Sequence, residues 1–198
     1  MGRIAGARAD RVHRQLVEAG EAFAAERFQD ARRVLQPVAE RYPEAASVRE
    51  LLGLTLYRME QWAKAAQELE AFATLTGSTE QHPVLMDCRR AQGRYDDVRQ
   101  LWDDLRQVSP AGDLVTEGRI VMAGALADQG ALADALRTLR AGPVEPKRPQ
   151  AHHLRLWYAL ADLEERSGNL PQARALFDRI RRRDATFADV PQRLAALG

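Results

Sequence analysis

The sequence predicts an all-α fold, an α-solenoid of about five helix-turn-helix repeats followed by a C-terminal capping helix. Three observations carry this. A turn-plus-helix phrase recurs five times, no stretch shows the period-two alternation of a half-buried strand, and helix breakers fall at repeat-like intervals. The phrases are ERFQDARRVL from Glu26, EQWAKAAQEL from Glu60, GRYDDVRQLW from Gly93, GALADALRTL from Gly130 and GNLPQARALF from Gly168, with starts 34, 33, 37 and 38 residues apart. Each phrase opens on Gly or Glu at a turn. A bulky residue follows two positions later (Phe28, Trp62, Tyr95, Leu132, Leu170), then a small one three further on (Ala31, Ala65, Val98, Ala135, Ala173). Another large apolar residue comes four beyond that (Leu35, Leu69, Trp102, Leu139, Phe177). Steps of three and four put all of these on one helix face, so they are expected in the core.

The segments before the phrases, such as Gly53–Met59 and Leu156–Gly168, are free of Pro and carry helical apolar spacing. Breakers at Pro43, Gly77, Pro110 and Gly142–Pro143 end the second helices. Asn169 reads as an N-cap ahead of Leu170-Pro171. This gives repeats over about 12–44, 46–78, 79–111, 114–143 and 151–185, a capping helix over 187–197, and one domain for the whole chain. Four departures from regularity are expected. Pro37 kinks the second helix of the first repeat, and His82-Pro83 shortens the first helix of the third. The second helix of the fourth repeat is short, and Ala141–Gln150, with three prolines, forms a hinge or offset. Nothing before Arg3–Arg11 serves to cap the first repeat, leaving that end frayed or available to a partner.

The period and residue pattern resemble the tetratricopeptide repeat. The second copy matches through Leu52-Gly53, Trp62, Ala65 and Leu69, and the fifth through Trp157, Leu160-Ala161, Gly168, Ala173 and Phe177. The first and third match in their second halves (Phe28, Ala31, Pro43; Gly93, Tyr95, Pro110), the fourth through Gly130 and Ala135. The resemblance spans roughly residues 12–185. It implies stacked hairpins that bury one another's faces, with Gly53, Ala65, Ala161 and Ala173 where helices cross closely.

The composition narrows function. Lys+Arg 29 against Asp+Glu 28 leaves a net charge of +1, a poor basis for nucleic-acid binding or an anionic membrane surface. Only Lys64 and Lys147 are lysines. Cys88 alone cannot form a disulfide framework or the usual Cys-based zinc site, and beside Asp87, Arg89 and Arg90 it is expected as a semi-buried structural residue. His13, His82, His152 and His153 include no pair four apart, and the adjacent pair is expected on different helix faces. Phosphate-binding loops are missing. Carboxylate pairs such as Asp96-Asp97 and Glu164-Glu165 are adjacent in sequence and do not face each other. No metal, no cofactor and no catalysis are expected. No apolar run approaches ~20 residues and the first residues lack a secretion-signal core, so a cytoplasmic protein without membrane contact is expected.

The resemblance implies a binding groove lined by the first helices. Its positions fall on Glu50, Leu54, Tyr57 and Arg58 in the second copy and on Asp87 and Arg90 in the third. In the fourth they fall on Glu117, Ile120 and Asp128, and in the fifth on Arg155, Tyr158, Asp162 and Arg166. Tyr and Arg are the residue types most often energetic in interfaces, which singles out Tyr57, Arg58, Arg90, Arg155, Tyr158 and Arg166. An i,i+4 ion pair from Asp162 to Arg166 is the alternative use of that face. The family's carboxylate clamp uses Lys and Asn, whereas the first copy has Leu16 and Gly20, which argues against a clamp of that kind. The leading function is a non-catalytic scaffold that holds a peptide or helix of a partner protein. The alternatives are RNA binding through Arg32-Arg33, Arg89-Arg90 and Arg181–Arg183, and homo-oligomerisation through a terminal repeat; monomer and homodimer are both open.

Overall fold

The chain is described by a computed structural model over residues 2–108 and 111–198, with side chains from Ala9 onward; the breaker expected at Pro110 lies outside the described residues. Among these residues there are eleven helices and no strand. They are α1 (Gly2–Ala24), α2 (Phe28–Arg41), α3 (Ala46–Arg58), α4 (Trp62–Thr76), α5 (His82–Ala91) and α6 (Tyr95–Val108), followed by α7 (Gly112–Asp128), α8 (Leu132–Arg140), α9 (Ala151–Arg166), α10 (Leu170–Arg181) and α11 (Val190–Ala196). The fold is therefore the expected all-α succession of helical hairpins.

Two compact units are present, Met1–Asp97 and Val98–Gly198. In the first, α1 packs on α2 and α3 on α4, neighbouring hairpins meet through α2–α3 and α4–α5, and α3 touches both α1 and α5. In the second, α7 packs on α8 and α9 on α10, α9 meets both helices of the α7–α8 hairpin, and α11 closes on α10.

One turn geometry recurs at all five phrase starts. Glu26, Glu60, Gly93, Gly130 and Gly168 have φ between +57° and +83°. In every case the turn residue's N–H donates to the carbonyl three back, as from Glu60 to Tyr57 and from Gly168 to Glu165, at 2.9–3.0 Å. The next N–H donates to the carbonyl five back: Arg27 to Ala22, Gln61 to Leu56, Arg94 to Arg89, Ala131 to Leu126 and Asn169 to Glu164, at 2.8–2.9 Å. This left-handed closure satisfies the last carbonyls of each first helix and reverses the chain. Glycine enters that region without strain, whereas the two glutamates hold it against steric cost.

The face that follows is core in graded fashion. Ala31, Ala65, Val98, Ala135 and Ala173 have no exposed surface, and neither do Leu35, Leu69, Leu139 and Phe177. Gly53 is required by closeness: a Cβ there would lie 2.6 Å from Leu69 Cδ2. The bulky first position is less buried than expected. Phe28, Trp62, Tyr95 and Leu132 are half-buried, and Leu170 is 48% exposed. It sits in the first helical turn, where the neighbouring hairpin covers only part of the side chain.

Several local expectations are refined. Pro37 lies inside α2, which continues four residues beyond it, α5 is short at 10 residues, and α8 shorter at 9. Asn169 occupies the N-cap position of α10 without a side-chain cap bond; its Nδ2 donates instead to Glu164 Oε2 at 2.9 Å. The segment 141–150 is tied down rather than hinged. Trp157 Nε1 donates to the Val144 carbonyl at 2.8 Å, and Arg179 lies 3.9 Å from the Trp157 ring centroid. Both oxygens of Glu145 accept from the Arg179 fork at 2.5 and 2.7 Å, which holds that carboxyl below the usual carboxylate range. Helix α1 begins at Gly2, ahead of the repeat start expected near residue 12. The capping helix is shorter than expected, spanning only Val190–Ala196.

One inter-repeat ion pair occurs twice with opposite polarity. In the first unit Arg89, four residues before its turn, is buried and pairs with Glu70, ten residues after the preceding turn. In the second, Glu164 is buried at the same repeat position and pairs with Arg140 at the same preceding one. Reversing Arg89 to Glu leaves like charges at a buried seat and should cost about 3 kcal/mol. The swap Glu70→Arg with Arg89→Glu should recover only part of that in urea denaturation: Arg140–Glu164 already uses the reversed order, but Asp97, 3.6 Å from Arg89, would face the new carboxylate where the second unit has Gln172. At the turns, Glu60→Gly should stabilise by roughly 0.5 kcal/mol net of the added chain entropy, and Gly168→Ala should destabilise by about 1 kcal/mol, read in the same assay.

Candidate functional site

In the first unit the polar groups of the first helices converge at one place. Tyr57 Oη, from α3, donates to Asp87 Oδ2 on α5 at 2.8 Å, and Arg90 Nη1 lies 3.4 Å from Asp87 Oδ1. The Tyr57 ring meets Trp62 edge-on at 5.4 Å. Burial, then the charge of Asp87, raises the Tyr57 hydroxyl above the ordinary tyrosine range. One turn towards the start of α3, Leu54 is half-buried; beyond it Glu50 Oε1 accepts from Gln81 Nε2 at 2.8 Å. Arg58 turns to the other side, where Nη2 donates to Glu26 Oε1 at 3.1 Å and its guanidinium stacks 4.6 Å from the Phe28 centroid. The first unit thus brings Tyr57, Asp87 and Arg90 together and separates Arg58 from them.

The second unit divides its residues between two contacts. Arg155 on α9 binds Glu117 on α7, Nε at 2.7 Å and Nη2 at 2.6 Å. Ile120 packs against the core, and Asp128 is exposed at the end of α7. Tyr158 Oη donates to Asp189 Oδ1 at 2.6 Å, and its hydroxyl is pushed up to about 12, first by burial and then by Asp189. Asp162 and Arg166 do form the i,i+4 pair, at 3.8 Å, yet the nearer partner of Asp162 is Arg193 at 3.0 Å. Arg193 also binds Glu165 at 2.8 Å and lies 5.0 Å from the Phe177 centroid. Asp189 and Arg193, both from the C-terminal cap, were not among the expected site residues. The signal lies in Asp189-Val190-Pro191, which repeats the helix-start pattern of Gln81-His82-Pro83.

Several other reactive side chains are engaged elsewhere. Arg89 is buried against Glu70, with Asp97 at 3.6 Å, which withdraws it from any Arg89-Arg90 phosphate site. Arg33 pairs with Asp30 at 3.2 Å and Arg181 with Asp178 at 2.8 Å. His153 is buried and accepts the Gln150 N–H through Nδ1 at 3.0 Å, and its pKa is lowered, chiefly by burial and then by His152. Contrary to the expectation of different faces, the His152 and His153 rings lie 3.9 Å apart, since the helix is only starting there. Cys88 is fully rather than partly buried. Among the described residues no group of three or more His, Cys, Asp or Glu side chains is disposed to hold a metal ion, and no helix is long and apolar enough to cross a membrane. Clefts that indent the first unit include one of about 410 Å³ at the hairpin ends beside Phe28 and Met59, one of about 550 Å³ between α1 and the start of α3, and one of about 320 Å³ along α2 from Gln29 to Pro37.

Stacked left-handed-closed hairpins with a polar stripe on their first helices define a helical-repeat protein. Residues 16–78 match the tetratricopeptide repeat model, and turns of the same left-handed geometry recur as far as the start of α10. Among solved structures the chain is similar to TTC0263, a thermophilic TPR protein in Thermus thermophilus, at 16% identity, covering 93% of this chain and 97% of that one with a TM-score of 0.72. It is also similar to MamA, at 14% identity, 87% and 93% coverage and a TM-score of 0.61. A third is YrrB, described as a TPR protein with an unusual peptide-binding site, at 15% identity, 90% and 89% coverage and 0.56. No curated protein matches the sequence.

Burial, then Asp87, pushes the Cys88 thiol up to about 12 from its ordinary 9.0. The thiol should therefore resist a disulfide reagent at pH 8 in the folded chain and react in full after denaturation. Because the folded value is raised, the stability this thiol contributes is complete below pH 9 and is lost as pH rises towards 12; a urea series between about pH 8 and pH 11 reads it.

Proposed function

We propose that the chain is a non-catalytic protein-binding scaffold of the cytoplasm, holding a peptide or helical segment of a partner along the first helices. Tetratricopeptide repeat folds generally mediate protein–protein interaction. The observation that carries the reading is the half-buried Tyr57–Asp87–Arg90 cluster, which joins the first helices of adjacent repeats. A phenol and a guanidinium fixed by one carboxylate offer a rigid apolar surface with directed donors, the composition of an interface anchor. Glu50 and Leu54 flank it, and Arg58 stands on the other side of α3 against Glu26 and Phe28. Arg155, Tyr158, Asp162, Arg166 and the exposed Asp128 are the corresponding candidates in the second unit. The mixed charge suits a peptide that carries acidic residues for the arginines and an apolar side chain for Tyr57. YrrB, similar in fold, is named for a peptide-binding site, which supports the same use here.

Tyr57 also packs on Trp62, so Tyr57→Ala would mix lost stability with lost binding. Arg58→Glu with Arg90→Glu reverses the stripe's charge without touching the core. Affinity purification from native lysate should enrich a discrete partner on the wild-type chain and lose it at least tenfold on the double variant, with helical circular dichroism unchanged. Equal enrichment by both would place binding on another surface.

A further inference from the structure

Helix α11 has only seven residues and buries two apolar side chains, Val190 and Leu194. Its polar contacts are more exacting than covering an open end requires. Tyr158, Asp162 and Glu165, spaced i, i+4, i+7 on α9, all face it. Tyr158 donates to the α11 N-cap residue Asp189, and Asp162 and Glu165 converge on Arg193, whose side chain is 22% exposed. The same step occurs inside the array. Gln81, the N-cap of α5, contacts Glu50 of α3, 31 residues away, and Asp189 contacts Tyr158 across the same 31 residues. Glu50 and Tyr158 both stand ten residues before their turns. On the fifth repeat α11 therefore takes the seat that the first helix of a next repeat would take. The connector from α10 reaches it through Ala188, a non-glycine residue at φ +45°, so the docked position holds a strained backbone.

We propose that this face of α9 and α10 is a docking site for a short helix of a partner protein bearing an acidic N-cap, an apolar residue next to it, an Arg four residues after the cap and an apolar residue following that Arg, with α11 as its occupant in the free chain. The inference rests on the scaffold reading and names the ligand class of its second unit: the Tyr158–Asp162–Glu165 row reads the Arg and the N-cap, and the seat vacated by Val190 and Leu194 takes the apolar anchors. A partner helix engages only by displacing α11, whose linkage to the chain sets a competing local concentration.

The test uses a fluorescein-labelled peptide of residues 184–198 and the full chain. In the variant Val190→Asp with Leu194→Asp, charge on both anchors withdraws α11 from its seat. Fluorescence anisotropy should show saturable binding to this variant at least tenfold tighter than to the wild type, whose seat is filled. Arg193→Glu within the peptide should weaken binding at least tenfold. Failure of the folded variant to bind, equal binding by the wild type, or equal binding of the Arg-reversed peptide would each overturn the proposal. Should circular dichroism show the variant unfolded, a protease site inserted between Arg183 and Asp184 of the full chain serves instead: after cleavage the labelled peptide should exchange into the seat, and no exchange overturns the proposal. Neither arm involves Arg58 or Arg90, so its failure is distinguishable from failure of the scaffold reading.

Discussion

A pair of helices joined by a tight reversal has too little surface to bury its own apolar faces, and every feature of this chain answers that shortage. The reversal must have one geometry so that the second helix returns at a constant angle, which the left-handed residue and its two backbone hydrogen bonds secure at five places. The crossing must then be close, which the fully buried small residues from Ala31 to Ala173 permit. A larger side chain at these points would separate the helices and undo the stacking of one hairpin on the next. What remains on the first helices, away from the core stripe, is free to carry polar chemistry.

The fold was legible because those constraints act locally and at fixed spacing. The turn residues, the small position and the following large apolar position were each visible in the sequence, and four of the five large positions have no exposed surface. The bulky residue two after the turn was misjudged at Leu170, since periodicity assigns a face but not how far the neighbouring hairpin covers it. Pro37 lies within a continuing helix, and the three prolines of 141–150 sit in a segment held by Trp157 and Arg179, a tertiary contact that no local rule contains.

The pairing of the polar side chains was not legible in the sequence. Tyr57, Asp87 and Arg90 are groove positions only by the resemblance, and the structure joins them through Asp87. Tyr158 and Asp162 find partners in and beside α11, which the sequence marks only as a capping helix. The pairs Glu70–Arg89 and Arg140–Glu164 show why such pairing is hard to read: the same two repeat positions hold opposite charges, so no residue type is diagnostic. Arg89 in particular looks like half of a basic cluster, and burial converts it into a structural ion pair.

The proposed function puts a partner on the first helices and leaves the second helices free. Hydrogen–deuterium exchange of the full chain with and without its captured partner addresses it directly. Added protection concentrated in α3 and α5, with α2 and α4 unchanged, is the outcome expected. Protection confined to α2 and α4 would contradict it.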